Sequence, residues 1–271
     1  MIVTAPASTA NLGPGFDCLA LALELRFELA TEDGPGRRPV DDTHPARVAS
    51  LEAGGHGPLW WRSSIPAGRG LGFSGAARAA GVVCGLVQRH GTRSWDPEEA
   101  AALVARLEGH PENGAASLRG GFVVAAADRV LSVPVHPDLD VEVVVWTPDR
   151  TTSTDRSRRR LPASVPFEDA VANVGRAALL VAALGTGDRE AIGVAVADRL
   201  HQPARLADDP DAVAVMEAAV GAGALGAWLS GSGPSVAALV ERARGEAVAA
   251  AVVAPGRVRR LALATAGTVL A

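Results

Sequence analysis

Apolar and charged residues alternate along the segment that ends near residue 30, and this alternation predicts a strand. From Leu23 to Leu29 every second residue is apolar, and the residues between them are charged. A period of two is typical of a strand with one buried face. Because an apolar run precedes the alternation, the predicted strand covers residues 18–30. Shorter apolar runs predict further strands at 58–65, 122–127, 141–146, 227–229 and 235–240.

Helical patterns occupy much of the remaining chain. Closely spaced small and apolar residues predict a tightly packed helix over 73–90. A second helix is predicted to begin after Asp96, an N-cap residue that is followed by Pro97 and two glutamates, and to run to about Glu108. The polar residues 32–47, with several Gly and Pro, predict a loop. Further helices are predicted at 167–184, at 188–200 and from Asp209 onward, and a last helix and strand complete the chain.

The order of these elements indicates an α+β protein. Strands dominate the first half of the 271 residues, whereas helices flank strands in the second half. This arrangement favours two lobes that divide near residue 150. Neither an internal repeat nor a low-complexity linker interrupts the pattern.

Lysine is missing from the composition, and this narrows the chemistry. All 26 basic residues are Arg, and Tyr is also missing. A Schiff base, a Ser-Lys pair and a Walker A phosphate loop all need a lysine, so these mechanisms are excluded. A phosphate site in this chain must therefore use backbone amides, a helix start, a metal ion or Arg.

Charge and cysteine content exclude several other classes. The formal net charge is -4, which gives no electrostatic reason to expect a nucleic-acid partner. Two cysteines are too few for a disulfide framework, and the six histidines lack metal-ligand spacing. The N-terminal residues lack the pattern of a signal peptide, and no apolar stretch reaches the ~20 residues of a membrane span. We therefore expect a cytoplasmic protein with no membrane partner.

Three glycine-rich segments carry the candidate chemistry: residues 6–17, 66–76 and 230–235. The second segment has Gly at 68, 70, 72 and 75 and leads directly into the helix predicted at 73–90. Backbone N–H groups in such a loop can approach an anion closely, and the helix start adds unpaired donors and a positive dipole end. The segment predicts a polyphosphate site that needs no lysine, although an ordinary Gly-rich turn has the same composition.

The three segments, in this order, resemble the motifs of the GHMP kinase superfamily, and homoserine kinases resemble the chain most. The matching motifs are PASTANLGPGFD at 6–17, PAGRGLGFSGA at 66–76, EGHPEN at 108–113, DRLHQPAR at 198–205 and SGSGPS at 230–235. Branches of the superfamily with a functional lysine in the first motif, such as mevalonate kinase, resemble this chain less.

The resemblance implies a fold and an activity. The expected fold is an N-terminal domain like ribosomal protein S5 domain 2, over residues 1–148, and a ferredoxin-like C-terminal domain, over residues 149–271. The expected activity is phosphorylation of the L-homoserine hydroxyl, with ATP and Mg²⁺, in threonine biosynthesis. A homodimer is compatible with the sequence, which does not decide the oligomeric state.

The resemblance also assigns residues to roles. The residues expected to bind ATP are Pro66, Gly68, Arg69, Gly70, Leu71, Gly72, Phe73, Ser74 and Gly75. The expected Mg²⁺ ligands are Ser74 and Glu108, which with Glu112 and Asn113 form the expected catalytic set. The residues expected to bind L-homoserine are Asn11, Asp17, His110, Glu112, Asn113, Arg158 and Arg205. The family pattern implies direct attack by the substrate hydroxyl without a general base, with Glu112 as a substrate ligand.

Departures from the family pattern leave two alternatives open. Phe73 replaces a Ser, Glu112 replaces an Asp, Gly114 replaces an apolar residue, and the stretch between 31 and 58 is short. The alternatives are a GHMP kinase with another small hydroxylated substrate and a non-catalytic homologue that binds ligand. An enzyme requires that Ser74 and Glu108 converge within reach of one metal ion.

Overall fold

The computed structural model describes residues 1–126 and 129–271. Its strands in chain order are β1 (Ile2–Asn11), β2 (Gly15–Ala30), β3 (Arg38–Pro39), β4 (Trp60–Ser63), β5 (Phe122–Ala126), β6 (Arg129–Val133), β7 (Val141–Thr147), β8 (Gly226–Leu229), β9 (Val236–Glu241), β10 (Arg257–Leu261) and β11 (Val269–Leu270). Within the described ranges these strands form two antiparallel sheets.

The first sheet has the order β11-β1-β2-β4-β3, and β5 pairs with both β2 and β6. Its centre is the long hairpin of β1 and β2, in which Val3 faces Leu29 and Ala10 faces Ala20. β2 can serve two neighbours because its first half pairs with β5 and its second half pairs with β4. The charged residues between the apolar positions of 23–29 lie on the more exposed side of β2, as the alternation predicts.

The second sheet has the order β10-β7-β9-β8. β7 belongs to this sheet although it precedes residue 148, and the last strand, β11, returns to pair with β1 of the first sheet. The chain therefore crosses between the two sheets more than once. The division into domains at residue 148 stays a prediction.

The helices flank these sheets. They are α1 (Pro45–Glu52), α2 (Phe73–His90), α3 (Pro97–Glu108), α4 (Glu112–Arg119), α5 (Thr154–Arg158), α6 (Phe167–Thr186), α7 (Arg189–Ala195), α8 (Gln202–Leu206), α9 (Pro210–Gly221) and α10 (Gly245–Ala251). α2 and α4 pack on β1 and β2, and α9 and α10 pack on the second sheet. The core consequently lies between each sheet and its helices, and Phe27, Phe122, Trp146 and Trp228 are buried there.

Most predicted elements are present, with local differences in their ends. Helix α2 has the predicted bounds, and Asp96 caps α3 by accepting the Glu98 N–H. The loop predicted at 32–47 instead contains β3 and the start of α1, which His44 caps through its ring nitrogen. The helix predicted at 188–200 ends at Ala195, because Asp198 then caps the next turn of chain. The last residue of the strand predicted at 122–127 lies outside the described residues.

Short helices α4 and α8 have too few turns to show an apolar period, and the pattern did not predict them. In the described part of the chain, no helix is both long and apolar enough to cross a bilayer.

Candidate active site

The loop before α2 has the backbone of an anion cradle. Gly68, Gly70 and Gly72 all have φ near +70°, a left-handed conformation that side chains disfavour. Gly72 is the N-cap of α2 and supplies no side chain to the first N–H groups of the helix. These groups therefore keep their hydrogen-bonding capacity for a ligand at the positive end of an 18-residue helix.

The three glycine-rich segments meet at this loop. A Cβ on Gly70 would overlap the Ser230 carbonyl oxygen, and a Cβ on Gly72 would overlap the Ser8 side chain. The Ser230 hydroxyl donates to the Gly70 carbonyl at 2.7 Å. Asn11 Nδ2 donates to the Gly231 carbonyl at 2.9 Å. The turn at 230–235 therefore joins its strands and also supports the predicted phosphate loop.

A cavity of about 620 Å³ opens where these segments meet. Of the predicted site residues, those that line it are Asn11, Asp17, Gly68, Arg69, Gly70, Leu71, Gly72, Phe73, Ser74, Gly75, Glu108, His110, Glu112, Asn113, Arg158 and Arg205. Pro66 does not line it. Ser232 of the third glycine-rich segment also lines the cavity. So do Arg78, Thr152, Thr154 and Asp155, which the sequence did not single out.

Ser74 and Glu108 converge on one cationic nitrogen. Nη1 of Arg78 donates to the Ser74 hydroxyl and lies 3.1 Å from Glu108 Oε1. The Glu108 side chain is 2% exposed, and its second oxygen accepts the Gly114 N–H at 3.0 Å. Burial raises the pKa of the Glu108 carboxyl to about 7, although His110 and Arg78 act in the opposite direction. The hydroxyl and the carboxylate thus share a single cation.

The Ser74 hydroxyl and the Glu108 carboxylate fit a hard divalent cation whose coordination is completed by other ligands. No group of three or more His, Cys, Asp or Glu that could hold a metal occurs within residues 1–126 and 129–271. One carboxylate and one hydroxyl leave most positions of an octahedral ion to water and phosphate oxygens, which is how Mg²⁺ is commonly bound beside nucleotides. The two oxygens therefore suit Mg²⁺ better than a metal that needs a full protein cage.

The start of α4 brings three polar side chains together. His110 Nδ1 lies 3.2 Å from Glu112 Oε1, and the same oxygen accepts from Asn113 Nδ2 at 2.8 Å. The Asn113 amide oxygen accepts from Ser8 Oγ at 2.7 Å. The nearby Glu112 carboxylate raises the pKa of the His110 imidazole, and burial acts in the opposite direction. Asn113 is thus held on both sides, between the first glycine-rich segment and Glu112.

Glu112 itself presents a free oxygen. Its side chain is 3% exposed, and Oε2 has no hydrogen-bond partner among the described residues. A buried carboxylate oxygen without a donor is costly unless a ligand supplies one. Because Glu112 lines the cavity, a ligand bound in the cavity would supply that donor.

Two arginines approach the other end of the cavity. Arg158, the last residue of α5, pairs with Asp17 on β2. The guanidinium carbons of Arg158 and Arg205 lie 5.5 Å and 5.1 Å from the centre of the Phe16 ring. The short arginine run around Arg158 is therefore more than a solvated surface patch, because one of its members points into the cavity.

Arg205 is buried, in contrast to Arg158. Its Nη1 donates to the Gly231 carbonyl at 3.2 Å, and burial lowers the pKa of its guanidinium to about 10. His201, four residues earlier, contacts the Gly13 carbonyl at 2.8 Å. Asp198 accepts the N–H groups of both His201 and Gln202. The segment 198–205 consequently ties the first glycine-rich segment to the third.

Phe73 does not block the phosphate loop. Its ring packs edge-on against Phe27 and Trp61, with centroid distances of 5.6 Å in both pairs, and His44 lies beside it. The bulky Phe73 therefore anchors the helix start in an aromatic cluster.

The short segment before residue 58 still provides α1. The backbone of Ala46 in this helix packs so closely on α2 that only Gly fits at residue 81.

Sequence reasoning missed Arg78, Ser8 and Phe16 as site residues. Arg78 had a signal, since it is the first charged residue of α2 and lies one turn after Ser74 among small and apolar residues. Ser8 and Phe16 lie within the first glycine-rich segment, but their roles there depend on the fold, which places them beside Asn113 and the two arginines.

Comparison with known families agrees with this geometry. The family model described as GHMP kinases N terminal domain matches residues 46–121. The family model described as GHMP kinases C terminal matches residues 180–258. The chain belongs to the GHMP kinase family.

Curated relatives narrow the placement within the family. The chain is 39% identical to a homoserine kinase of Thermus thermophilus over 249 residues, with 86% of this chain and 85% of that protein covered. It is 40% identical to a homoserine kinase of Moorella thermoacetica over 262 residues, which cover 88% and 86% of the two chains. Within the family it therefore groups with the homoserine kinases.

Solved structures give the same placement. The crystal structure of homoserine kinase from Cytophaga hutchinsonii superposes with a TM-score of 0.85 at 27% identity and covers 99% of this chain and 96% of that one. A mevalonate kinase structure superposes with a TM-score of 0.70 at 13% identity, with coverage of 97% and 99%, and this likeness concerns the fold alone.

Proposed function

We propose that the protein transfers the terminal phosphoryl group of ATP to the hydroxyl of L-homoserine, giving O-phospho-L-homoserine on the route to threonine. One observation carries this proposal. A single cavity has an anion cradle at the start of α2 and, beside it, the carboxylates of Asp17 and Glu112 and the guanidiniums of Arg158 and Arg205. An α-amino acid with a hydroxyl carries the complementary pair of charges.

The phosphate end of the cavity is the loop from Gly68 to Gly75. Its free N–H groups bind phosphate oxygens, and the helix dipole of α2 adds to that attraction. Arg69 lines the same wall, where its guanidinium donates to the Pro148 carbonyl. Phosphoryl transfer needs little covalent help from the protein, so positioning and charge compensation supply most of the rate.

Ser74 and Glu108 are the residues that would hold Mg²⁺. When bound there, the ion neutralises charge on the transferring phosphoryl group. The chain contributes a buried carboxylate whose second oxygen is fixed by the Gly114 N–H, so the donor is oriented before any ligand arrives.

The amino-acid end of the cavity binds the substrate by charge. Arg158 and Arg205 receive the α-carboxylate, and Asp17 and Glu112 receive the ammonium group. The free oxygen of Glu112 supports this assignment, because an ammonium donor satisfies it. The longer side chain of Glu relative to Asp is accommodated by its hydrogen bond from Asn113.

The reaction proceeds by direct attack of the substrate hydroxyl. Both oxygens of Glu112 have tasks in binding and positioning, so the proposal gives it no role as a base. Asn113 acts as a positioning residue, since Ser8 and Glu112 hold its amide on both sides. The hydroxyl proton passes either to an oxygen of the transferred phosphoryl group or to water.

The decisive experiment is a coupled ADP-release assay with L-homoserine, L-threonine, L-serine, mevalonate and galactose. We expect turnover with L-homoserine and none comparable with the others. Turnover of another alcohol alone would favour the alternative GHMP kinase, and ligand binding without ADP release would favour the non-catalytic homologue. Glu108→Gln should abolish turnover, whereas the same change at Glu99, elsewhere on α3, should not.

We also propose a homodimer built on α6. Phe167, Val171 and Val174 are exposed along one face of this helix, and Phe167 is 83% exposed. Their spacing of four and three residues makes a continuous apolar stripe, and a second copy of the same helix is complementary to it.

We also propose a cytoplasmic location, since the substrate and ATP are metabolites of that compartment.

A further inference from the structure

We propose that the guanidinium of Arg78 is a built-in cation that occupies the position between Ser74 and Glu108 and competes there with a divalent metal ion. The inference rests on the proposed function, because it takes Ser74 and Glu108 as the metal-binding pair. It assigns a role to a residue that neither the motif nor the predicted ligand set includes.

The geometry around Arg78 carries the inference. One nitrogen, Nη1, contacts both the Ser74 hydroxyl and the Glu108 carboxylate, and these are the two groups expected to share a metal ion. Ser74 and Arg78 are four residues apart on α2, so the helix directs both side chains to the same place. A metal ion that binds both oxygens must therefore displace this nitrogen.

The burial of Glu108 explains why a resident cation is needed. The carboxylate is almost completely withdrawn from water, and an isolated charge in such a place is strongly disfavoured. Arg78 compensates that charge when neither metal nor nucleotide is present. Its own side chain is 25% exposed, so it also has a route out of the position.

The cavity offers the displaced guanidinium a second partner. Arg78 lines the same cavity as the loop from Gly68 to Gly75, and phosphate oxygens are the acceptors that a guanidinium binds best. Arriving nucleotide therefore competes with Glu108 for Arg78 while it brings phosphate ligands for the metal. The consequence is that metal binding is weak without nucleotide and is coupled to nucleotide binding.

The test is Mn²⁺ binding to the purified protein without nucleotide, measured by the loss of the free-ion signal in electron paramagnetic resonance. Arg78→Leu should bind Mn²⁺ at least about tenfold more tightly than the unaltered protein, because the competing cation is gone. Arg89→Leu is the matched control: it removes the same charge from the exposed far end of α2, where Arg89 pairs with Glu99, and should leave the affinity unchanged. Adding Glu108→Gln to Arg78→Leu should abolish the gain.

The proposal is overturned if Arg78→Leu binds Mn²⁺ as weakly as the unaltered protein, or if Arg89→Leu produces the same gain. Melting curves report whether each variant is folded, and Arg78→Gln, which is uncharged but polar, replaces the Leu variant if that one unfolds. In the presence of a non-hydrolysable ATP analogue, the difference between Arg78→Leu and the unaltered protein should shrink. A failed kinase assay would leave these Mn²⁺ measurements valid, so the two proposals can fail separately.

Discussion

Nη2 of Arg158 lies 2.8 Å from both carboxylate oxygens of Asp17. The two residues are 141 positions apart in the chain and belong to α5 and β2. Each is a predicted ligand for one charged group of the same amino acid. In the proposed site, the ammonium group of an arriving zwitterion replaces Arg158 as the partner of Asp17, and its carboxylate replaces Asp17 as the partner of Arg158.

Replacing Asp17 tests this relationship. We expect Asp17→Asn to raise the KM for L-homoserine by about tenfold or more, about 1.4 kcal/mol, with little change in the KM for ATP. The carboxylate is lost where the ammonium group binds, while the shape is kept. Steady-state kinetics with each substrate varied in turn measure the effect. Asp208→Asn, which loosens the exposed pair with Arg160, serves as the control.

We expect Arg205 to bind the substrate and also to contribute to the stability of the fold. We expect Arg205→Ala to raise the KM for L-homoserine by about tenfold to hundredfold. It should lower stability by about 1 kcal/mol, because one buried hydrogen bond is lost while Asn11 still donates to the Gly231 carbonyl. ATP affinity should change little. Arg199→Ala, which removes an exposed pair with Asp169, is the matched variant. Equal losses of affinity for both substrates would assign Arg205 a structural role only.

Gly70 should be intolerant of any side chain. We expect Gly70→Ala to raise the KM for ATP and to destabilise the protein, because the residue combines a φ of +74° with the nearby Ser230 carbonyl. Gly91→Ala separates the two causes: its φ is +65°, but the space around it is open. The conformational cost alone is about 1–2 kcal/mol. Melting temperatures and ATP titrations that show equal effects for both variants would contradict the close packing of the loop.

His44 should make stability fall in mild acid. Burial lowers the pKa of His44 below its ordinary value of 6.5, so the unfolded chain binds a proton more readily than the folded one. Stability from this residue is therefore complete above pH 6.5 and is lost as the pH falls below it. Melting temperatures between about pH 7.5 and 5.5 should fall more steeply in the unaltered protein than in His44→Gln. Glu108 and His110 titrate in both proteins, so the difference isolates His44. Parallel curves for His44→Gln and the unaltered protein would refute the prediction.

The α6 stripe should set the oligomeric state. We expect Val174→Arg to convert a dimer to a monomer, because the charge would be buried between two copies of the helix. Val174 is 71% exposed in the single chain, so the change should not unfold it. Val253→Arg adds the same charge at a side chain that is 91% exposed elsewhere. Light scattering during size-exclusion chromatography should report a dimer for the control, and a monomeric unaltered protein would end the proposal.

Local signals in the sequence determined a large part of this molecule. The helix at 73–90 follows from its own spacing of small residues, and the start of α3 follows from Asp96 and Pro97. The missing lysine excluded whole classes of phosphate site. The three glycine-rich segments supply about half of the residues that line the cavity. Such features are readable because each depends on residues that are neighbours in the chain.

Only the tertiary structure decided how these segments meet. Asn113 accepts a hydrogen bond from Ser8, which is 105 positions away in the chain. Arg158 on α5 pairs with Asp17 on β2. Which cation sits between Ser74 and Glu108 was also undecided, because an arginine on a helix looks like a surface charge until burial of the facing carboxylate gives it a partner. The chemistry of the site depends on charges brought together by folding, and a linear pattern does not encode their distances.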